Sequence, residues 1–238
     1  MGSSGGLQRT TYDVSAMTLA AHEDKTYRGA YIAPPSMPWV WGTGLENPSA
    51  AYHLVWSRDL YQIATALLAD GDRAGAERAL TYLFERQQKA DGSFPQNPTV
   101  DGTQKWSNTQ LDEVALPIVL AWQLGRNDGT TYRSHIKPAA EYVVANGPQT
   151  PQERWENQCG YSPATIASEI AGLVCAADIA RQRRRGRRTQ VPVGAGGAAL
   201  DRGLQIHGTV SVGRAVPNPT VRPSRAADCR PRRWRGAR

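Results

Sequence analysis

The chain has 238 residues, 40% of them hydrophobic and 21% charged, enough for one sizeable core or two small ones. No stretch approaches the roughly 18 consecutive apolar residues expected of a spanning helix, and Met1-Gly2-Ser3-Ser4-Gly5-Gly6 has neither the basic start nor the apolar core of a secretory signal. Three cysteines (Cys159, Cys175 and Cys229) are too few for a disulfide framework, and their spacing fits no zinc site.

The net charge of +7 divides unevenly. Residues 1–180 carry 4 Lys and 9 Arg against 19 acids, a net of −6, whereas residues 181–238 carry 15 Arg, no Lys and only Asp201 and Asp228, a net of +13. The basic character therefore belongs to the tail and says nothing about the partner of the rest.

Residues 1–10 read as an unstructured start. From Tyr12 to Ala180 the apolar spacing is mostly three and four, which predicts helices and leaves no room for long strands. The first helix is expected from Tyr12 to Asp24, with Val14, Met17 and Ala21 on its core face. The second starts near Asp59 with Leu60, Ile63, Leu67 and Leu68, and ends at Asp70-Gly71-Asp72. The third runs from Arg73 to Lys89 through Ala76, Leu80, Leu83 and Phe84.

The fourth helix is expected from Leu111 to Leu124, kinked by Pro117, and the fifth from Tyr132 to Ala145, with Pro138 as a kink or first-turn residue. The sixth opens on Ser162 as N-cap and Pro163 as its first residue. The fourth and sixth are apolar on more than one face, which predicts burial on both sides.

At Arg181 the helical pattern gives way to a mixture dominated by Arg, Gly, Ala and Pro, with too little apolar surface to offset the entropy of ordering it. Residues 182–238 fit a disordered tail, an Arg-rich arm for nucleic acid, or text translated out of frame. Fifteen Arg with no Lys favour the last, because all four dominant residues have GC-rich codons.

The joints between helices alternate short and long, and the long ones (28–57, 90–108 and 147–161) should cluster at one end of an array of helical hairpins. They hold Trp39, Trp41, Trp56, Trp106 and Trp155, five of the chain's seven Trp. With Tyr52, Arg58, Asp59 and Glu156 beside them, these loops suit a polyhydroxylated ligand. Aromatic faces cover the C–H face of a sugar while charged pairs bind its hydroxyls. A plug of aromatic rings closing one end of the array, with Arg58–Asp59 as a helix-start ion pair, fits the composition equally well. An aromatic neighbour would also desolvate the Glu156 carboxyl and raise its pKa.

Four stretches carry a family resemblance: Tyr52-His53-Leu54-Val55-Trp56-Ser57-Arg58-Asp59-Leu60-Tyr61; Asp91-Gly92-Ser93-Phe94-Pro95-Gln96-Asn97; Gln110-Leu111-Asp112-Glu113; and Glu153-Arg154-Trp155-Glu156 through Gly160-Tyr161-Ser162-Pro163 to Ile166-Ala167. In this order the sequence resembles, over about residues 11–181, the catalytic domain of glycoside hydrolase family 15, the family of bacterial glucoamylases and glucodextranases. The resemblance implies an all-α (α/α)6 barrel of helical hairpins, here roughly half present. It also implies exo-hydrolysis of α-glucosidic bonds, 1,4 or 1,6, with inversion and no cofactor or metal.

By position, Glu156 resembles the general acid. Arg58 and Asp59 resemble the pair that holds hydroxyls of the terminal glucose, walled by Tyr52 and Trp56. Trp106 resembles the aromatic that packs over the sugar and near the acid, and Gln110 and Asp112 its supporting shell; Trp155 is counted among the substrate-binding residues. Asn157 stands where fungal relatives carry a second Glu. The resemblance places the catalytic base in the second half of the barrel, which nothing after Arg181 resembles. Asp112, Glu113 and Glu169 are candidate substitutes with no spacing to favour them. The expected partner is an α-glucan or maltooligosaccharide, with a carbohydrate-binding remnant without turnover as the alternative. A nucleic-acid or membrane partner is disfavoured. Relatives are often secreted, but localisation and oligomeric state are left open.

Overall fold

In the computed structural model the described residues are 4–35, 52–156 and 158–189. Helix α1 spans Ser4–Ala21 and α2 Ser57–Asp70; α3 (Arg73–Tyr82) continues through a π-helical turn at Leu83–Gln87. Two short strands follow, β1 (Asn97–Pro98) and β2 (Gln104–Trp106), then α4 (Leu111–Gln123). Helix α5 (Gly129–Thr131) leads through a second π-helical turn, Tyr132–Ile136, into α6 (Lys137–Asn146), and α7 spans Pro163–Thr189.

The α2–α3 hairpin follows from its three turn residues. Gly71 takes the left-handed conformation at φ +96°, which lets its N–H close on the Leu67 and Leu68 carbonyls. Asp72 then caps α3 by accepting the Gly75 N–H at 2.8 Å. At α7, Ser162 Oγ accepts the Thr165 N–H at 3.5 Å and Pro163 is the first residue, as the sequence predicts. Pro138 is the second residue of α6, directly after the π-helical turn that leads into it.

Pro117 sits inside α4, four residues beyond Glu113, and cannot donate to the Glu113 carbonyl. That carbonyl is satisfied from another element, because the buried Ser57 hydroxyl at the start of α2 donates to it at 3.0 Å. The proline is thereby tolerated, and α2 is pinned to α4 beside Arg58.

Helix α4 is the centre of the core. Leu111, Val114, Ala115, Ile118, Leu120 and Ala121 are fully buried, joining Leu60, Leu83, Phe94, Ile136 and Ile179 from the surrounding elements. Its closest neighbour is α7. A Cβ on Gly172 would lie 2.9 Å from the Ala115 carbonyl oxygen, so the two backbones meet where glycine leaves room.

Several expectations need correction. Residues 4–10, expected to be unstructured, form the first turns of α1. The expected core face of that helix is exposed: Val14 is 55% and Met17 70% accessible, while Leu19 packs against the core. Helix α7 does not stop at Arg181 but runs to Thr189, because Arg and Gln are good helix formers and the single Gly186 costs only about 1 kcal/mol.

Burial of α7 on both sides does not hold either, since Ile170 and Val174 are exposed and no described element covers them. Between Pro163 and Arg185 this helix is long and apolar enough to cross a membrane by length and composition. The sequence reading missed that because Glu169 and Asp178 interrupt the apolar run. In the fold, one side of α7 packs on α4 and contributes Ala176 and Ile179 to the core. The antiparallel β1–β2 pair was also not expected. The readings of the tail beyond Thr189, the nucleic-acid arm included, lie outside the described residues, as do Trp39, Trp41 and Asn157.

Candidate active site

The residues singled out from the sequence converge. Tyr52, Trp56, Arg58, Asp59, Trp155 and Glu156 line one open cleft of about 580 Å³, a size typical of small-ligand sites. They arrive from two places: the entry into α2, and the loop between α6 and α7.

Arg58 is anchored from behind. Its Nη1 donates to Gln110 Oε1 at 2.6 Å and to Asp112 Oδ2 at 3.0 Å, and lies 3.5 Å from Glu113 Oε1. Gln110, Asp112 and Glu113 are all buried at the start of α4. Asp59, expected as the partner of Arg58, is only loosely paired at 4.0 Å and faces the cleft. Its neighbour in sequence is not its anchor, because consecutive residues diverge around a helix while Asp112 approaches from α4.

The aromatic residues form a connected set. Tyr52 stacks on Trp56 with ring centres 5.5 Å apart, and Trp56 meets Trp106 edge to face at 5.9 Å. Trp56 is 3% exposed, so it is a buried wall of the cleft, while Tyr52 at 42% presents the outer surface. Trp155 is 72% exposed and carries the Arg154 guanidinium over its ring at 5.5 Å.

Glu156 holds a left-handed backbone at φ +64°, uncommon for a residue with a side chain. Its N–H donates to the Glu153 carbonyl at 2.8 Å. Its Oε1 accepts from Gln96 Nε2 at 2.5 Å. Desolvation raises the Glu156 carboxyl above the ordinary glutamate value, opposed by the Gln96 hydrogen bond and the Arg58 charge. The loop is tied to the Arg58 cluster as well. Gln110 Nε2 donates to Gln152 Oε1 at 3.2 Å, and Gln152 Nε2 to the Glu156 carbonyl at 3.4 Å.

Gln96, His22, Gln62 and Arg154 carry no role that the sequence predicts, whereas Glu113 and Glu169 are predicted only as candidate bases. Gln96 reaches Glu156 from the long loop before β1. His22, Gln62 and Arg154 line the cleft. Glu113 is fully buried, neither of its carboxyl oxygens has a hydrogen-bond partner, and desolvation holds its pKa well above the usual range, opposed by Arg58. Glu169, 5% exposed, is pushed to about 7 by desolvation and by Asp112. Gln96 and Glu113 lie inside the motifs quoted above, but spacing alone does not tell which of several polar side chains turns inward.

Comparison with known proteins places this arrangement. The family model for glycosyl hydrolases family 15 matches residues 6–195. A glucoamylase of Clostridium sp. strain G0005 is 50% identical over 179 residues, covering 75% of this chain and 25% of that protein. An uncharacterised glycosyl hydrolase of Methanocaldococcus jannaschii is 30% identical over 67% of this chain and 25% of its own length. The structure of a bacterial glucoamylase complexed with acarbose superposes with a TM-score of 0.65 at 46% identity, covering 75% of this chain and 26% of the other. A glucoamylase from Saccharomycopsis fibuligera shares the fold at 19% identity and a TM-score of 0.56, over 76% of this chain and 45% of its own. The chain spans about a quarter of the length of the curated relatives it matches. With four motifs in order, a helical-hairpin fold and a family model matched over most of its length, the chain is a member of glycosyl hydrolases family 15.

Proposed function

We propose that this chain carries the sugar-gripping and proton-donating part of an inverting α-glucosidase site, the kind that removes glucose from the non-reducing end of an α-glucan. One observation carries the reading: a desolvated carboxyl and an arginine anchored by buried acids open onto the same aromatic-walled cleft. In it, Glu156 protonates the leaving glycosidic oxygen. Arg58 and Asp59 bind hydroxyls of the terminal glucose, and Tyr52, Trp56 and Trp155 cover its apolar face. Trp106 backs Trp56, while Gln110 and Asp112 keep Arg58 aimed.

Inversion further requires a base roughly 6.5–9.5 Å from the acid, with room for water between them. Asp112 and Glu113 do not suit that role, since both stand behind Arg58 and Glu113 is sealed from water. Without such a base, the 238-residue chain is expected to bind sugar without turning it over. Titration with maltose or acarbose should change tryptophan fluorescence, and Arg58→Ala should abolish the change. An unaltered signal at millimolar ligand refutes the binding reading. Release of β-glucose from maltodextrin, lost in Glu156→Gln, would show that the chain catalyses after all.

A further inference from the structure

Glu156 is held by two devices that no role assigned so far explains. Its backbone sits in the left-handed region, and its carboxyl is fixed from across the site by a residue 60 positions earlier in the chain. That residue, Gln96, is 2% exposed, between fully buried Phe94 and Asn97. Asn97 begins β1 and its Oδ1 accepts the Trp106 N–H at 3.2 Å, so Gln96 is mounted on a rigid base. It is a buried donor aimed at one chosen oxygen of a carboxyl that itself borders the cleft.

An amide N–H can bond only to an oxygen that offers a lone pair. Facing Gln96 Nε2, Oε1 has to remain an acceptor whether Glu156 is protonated or not. The carbonyl oxygen of a carboxylic acid accepts better than its hydroxyl oxygen, so the acidic proton is favoured on Oε2. We propose that Gln96 is a positioning residue that selects Oε2 of Glu156 as the proton-bearing oxygen and stabilises the carboxylate left behind when that proton departs. The inference rests on Glu156 being the proton donor.

In the donation step the Oε2–H bond breaks and the glycosidic oxygen takes the proton. The bonding pair stays on Glu156 as carboxylate charge. The Gln96 hydrogen bond turns from neutral to charge-assisted in the same step, so it strengthens as the reaction proceeds. A bond that gains strength along the reaction coordinate lowers the barrier, whereas one of constant strength only binds. The left-handed backbone serves the same end, because it presents the carboxyl to Gln96 at the cost of local strain.

The test reads Glu156 directly and needs no turnover. With 13Cδ-labelled glutamate, the Glu156 resonance is assigned by its loss in Glu156→Gln and followed by NMR against pH. Gln96→Leu keeps the side-chain bulk and removes the donor, so the Glu156 midpoint should rise. Gln96→Lys restores an N–H donor and should return the midpoint to the wild-type value or below. A midpoint that stays put or falls in Gln96→Leu overturns the proposal; a fall would mean that the amide oxygen faces Glu156 and accepts its proton. Should Gln96→Leu fail to fold, Gln96→Lys is compared with wild type directly: a midpoint at or below the wild-type value is expected, and a rise overturns the proposal. Failure of the proton-donor reading itself shows separately. In that case the pH dependence of acarbose affinity is the same in Glu156→Gln as in wild type, whatever Gln96 does.

Discussion

The contact between Ser57 and α4 gives a sharp energetic test of how this site is assembled. Pro117 deprives the Glu113 carbonyl of its helical donor, and the Ser57 hydroxyl replaces it at 3.0 Å in a fully buried setting. Ser57→Ala leaves that carbonyl buried and unpaired, a loss of about 1–3 kcal/mol. In a Pro117→Ala background, residue 117 regains its N–H and supplies the helical bond itself. The same Ser57→Ala change should then cost about 1 kcal/mol or less, giving a coupling on the order of 1–2 kcal/mol. Urea denaturation of the four proteins, followed by tryptophan fluorescence and checked for constant m-value, measures this cycle. If the two costs add to within about 0.5 kcal/mol, the hydroxyl is not standing in for the missing N–H and the reasoning fails.

Three further outcomes are expected. Arg58→Met strands the buried Asp112 carboxylate without its cation and should destabilise by about 3–5 kcal/mol in urea melts; a loss below about 1 kcal/mol would refute the ion-pair account. Glu169 holds its proton to about pH 7 when folded but only to the ordinary glutamate value of 4.5 when unfolded. Its stabilising protonated state is complete below pH 4.5 and is lost as pH rises to about 7, at up to roughly 1.4 kcal/mol per pH unit. Glu169→Gln should flatten that slope in pH-dependent urea melts. Gly92 has φ +87°, and a Cβ there would lie 2.3 Å from the Pro138 backbone at the start of α6. Gly92→Ala should therefore cost about 2–4 kcal/mol by thermal unfolding, and a near-neutral melt would mean that the loop docks differently.

What the sequence made legible followed local chemistry. Asp70-Gly71-Asp72 and Ser162-Pro163 each encode a cap, and the structure uses both as written. The motif around Arg58 named the cluster, although the partner it suggested, Asp59, proved weaker than Asp112. What failed depended on tertiary context. The Val14–Met17 stripe has helical periodicity whether or not a neighbour covers it, so pattern alone could not report its exposure. The Arg-rich end of α7 has the composition of a stop signal, but Arg and Gln are good helix formers and the helix continues through it. The β1–β2 pair did leave a trace: Asp101-Gly102 is a turn dipeptide, and the Asp101 carboxylate accepts the Thr103 N–H at 2.9 Å. Gln96 left none, since one buried amide among several polar loop residues has no periodic signature.

The charges around Arg58 also bear on why Glu156 is suited to give up a proton rather than to rest as a carboxylate. Four acids surround one guanidinium: Asp59, Asp112, Glu113 and, across the cleft, Glu156. A single positive charge cannot neutralise all of them, so burial decides which stay ionised. Asp112 takes the direct bond to Nη1. Glu113, without water and without a hydrogen bond, keeps its proton. Arg58 is thereby largely balanced by Asp112, and what remains to draw charge onto Glu156 is the Gln96 amide, a weakened Coulomb pull and a smaller contribution from the Trp56 side chain. Replacing Glu113 by Gln should leave this balance almost unchanged, because one neutral group replaces another. Replacing Asp112 by Asn should free Arg58 and lower the Glu156 midpoint. The ordering of those two effects, read by the same NMR titration, is set by which acid holds the arginine, and a larger response to Glu113→Gln would reverse the assignment.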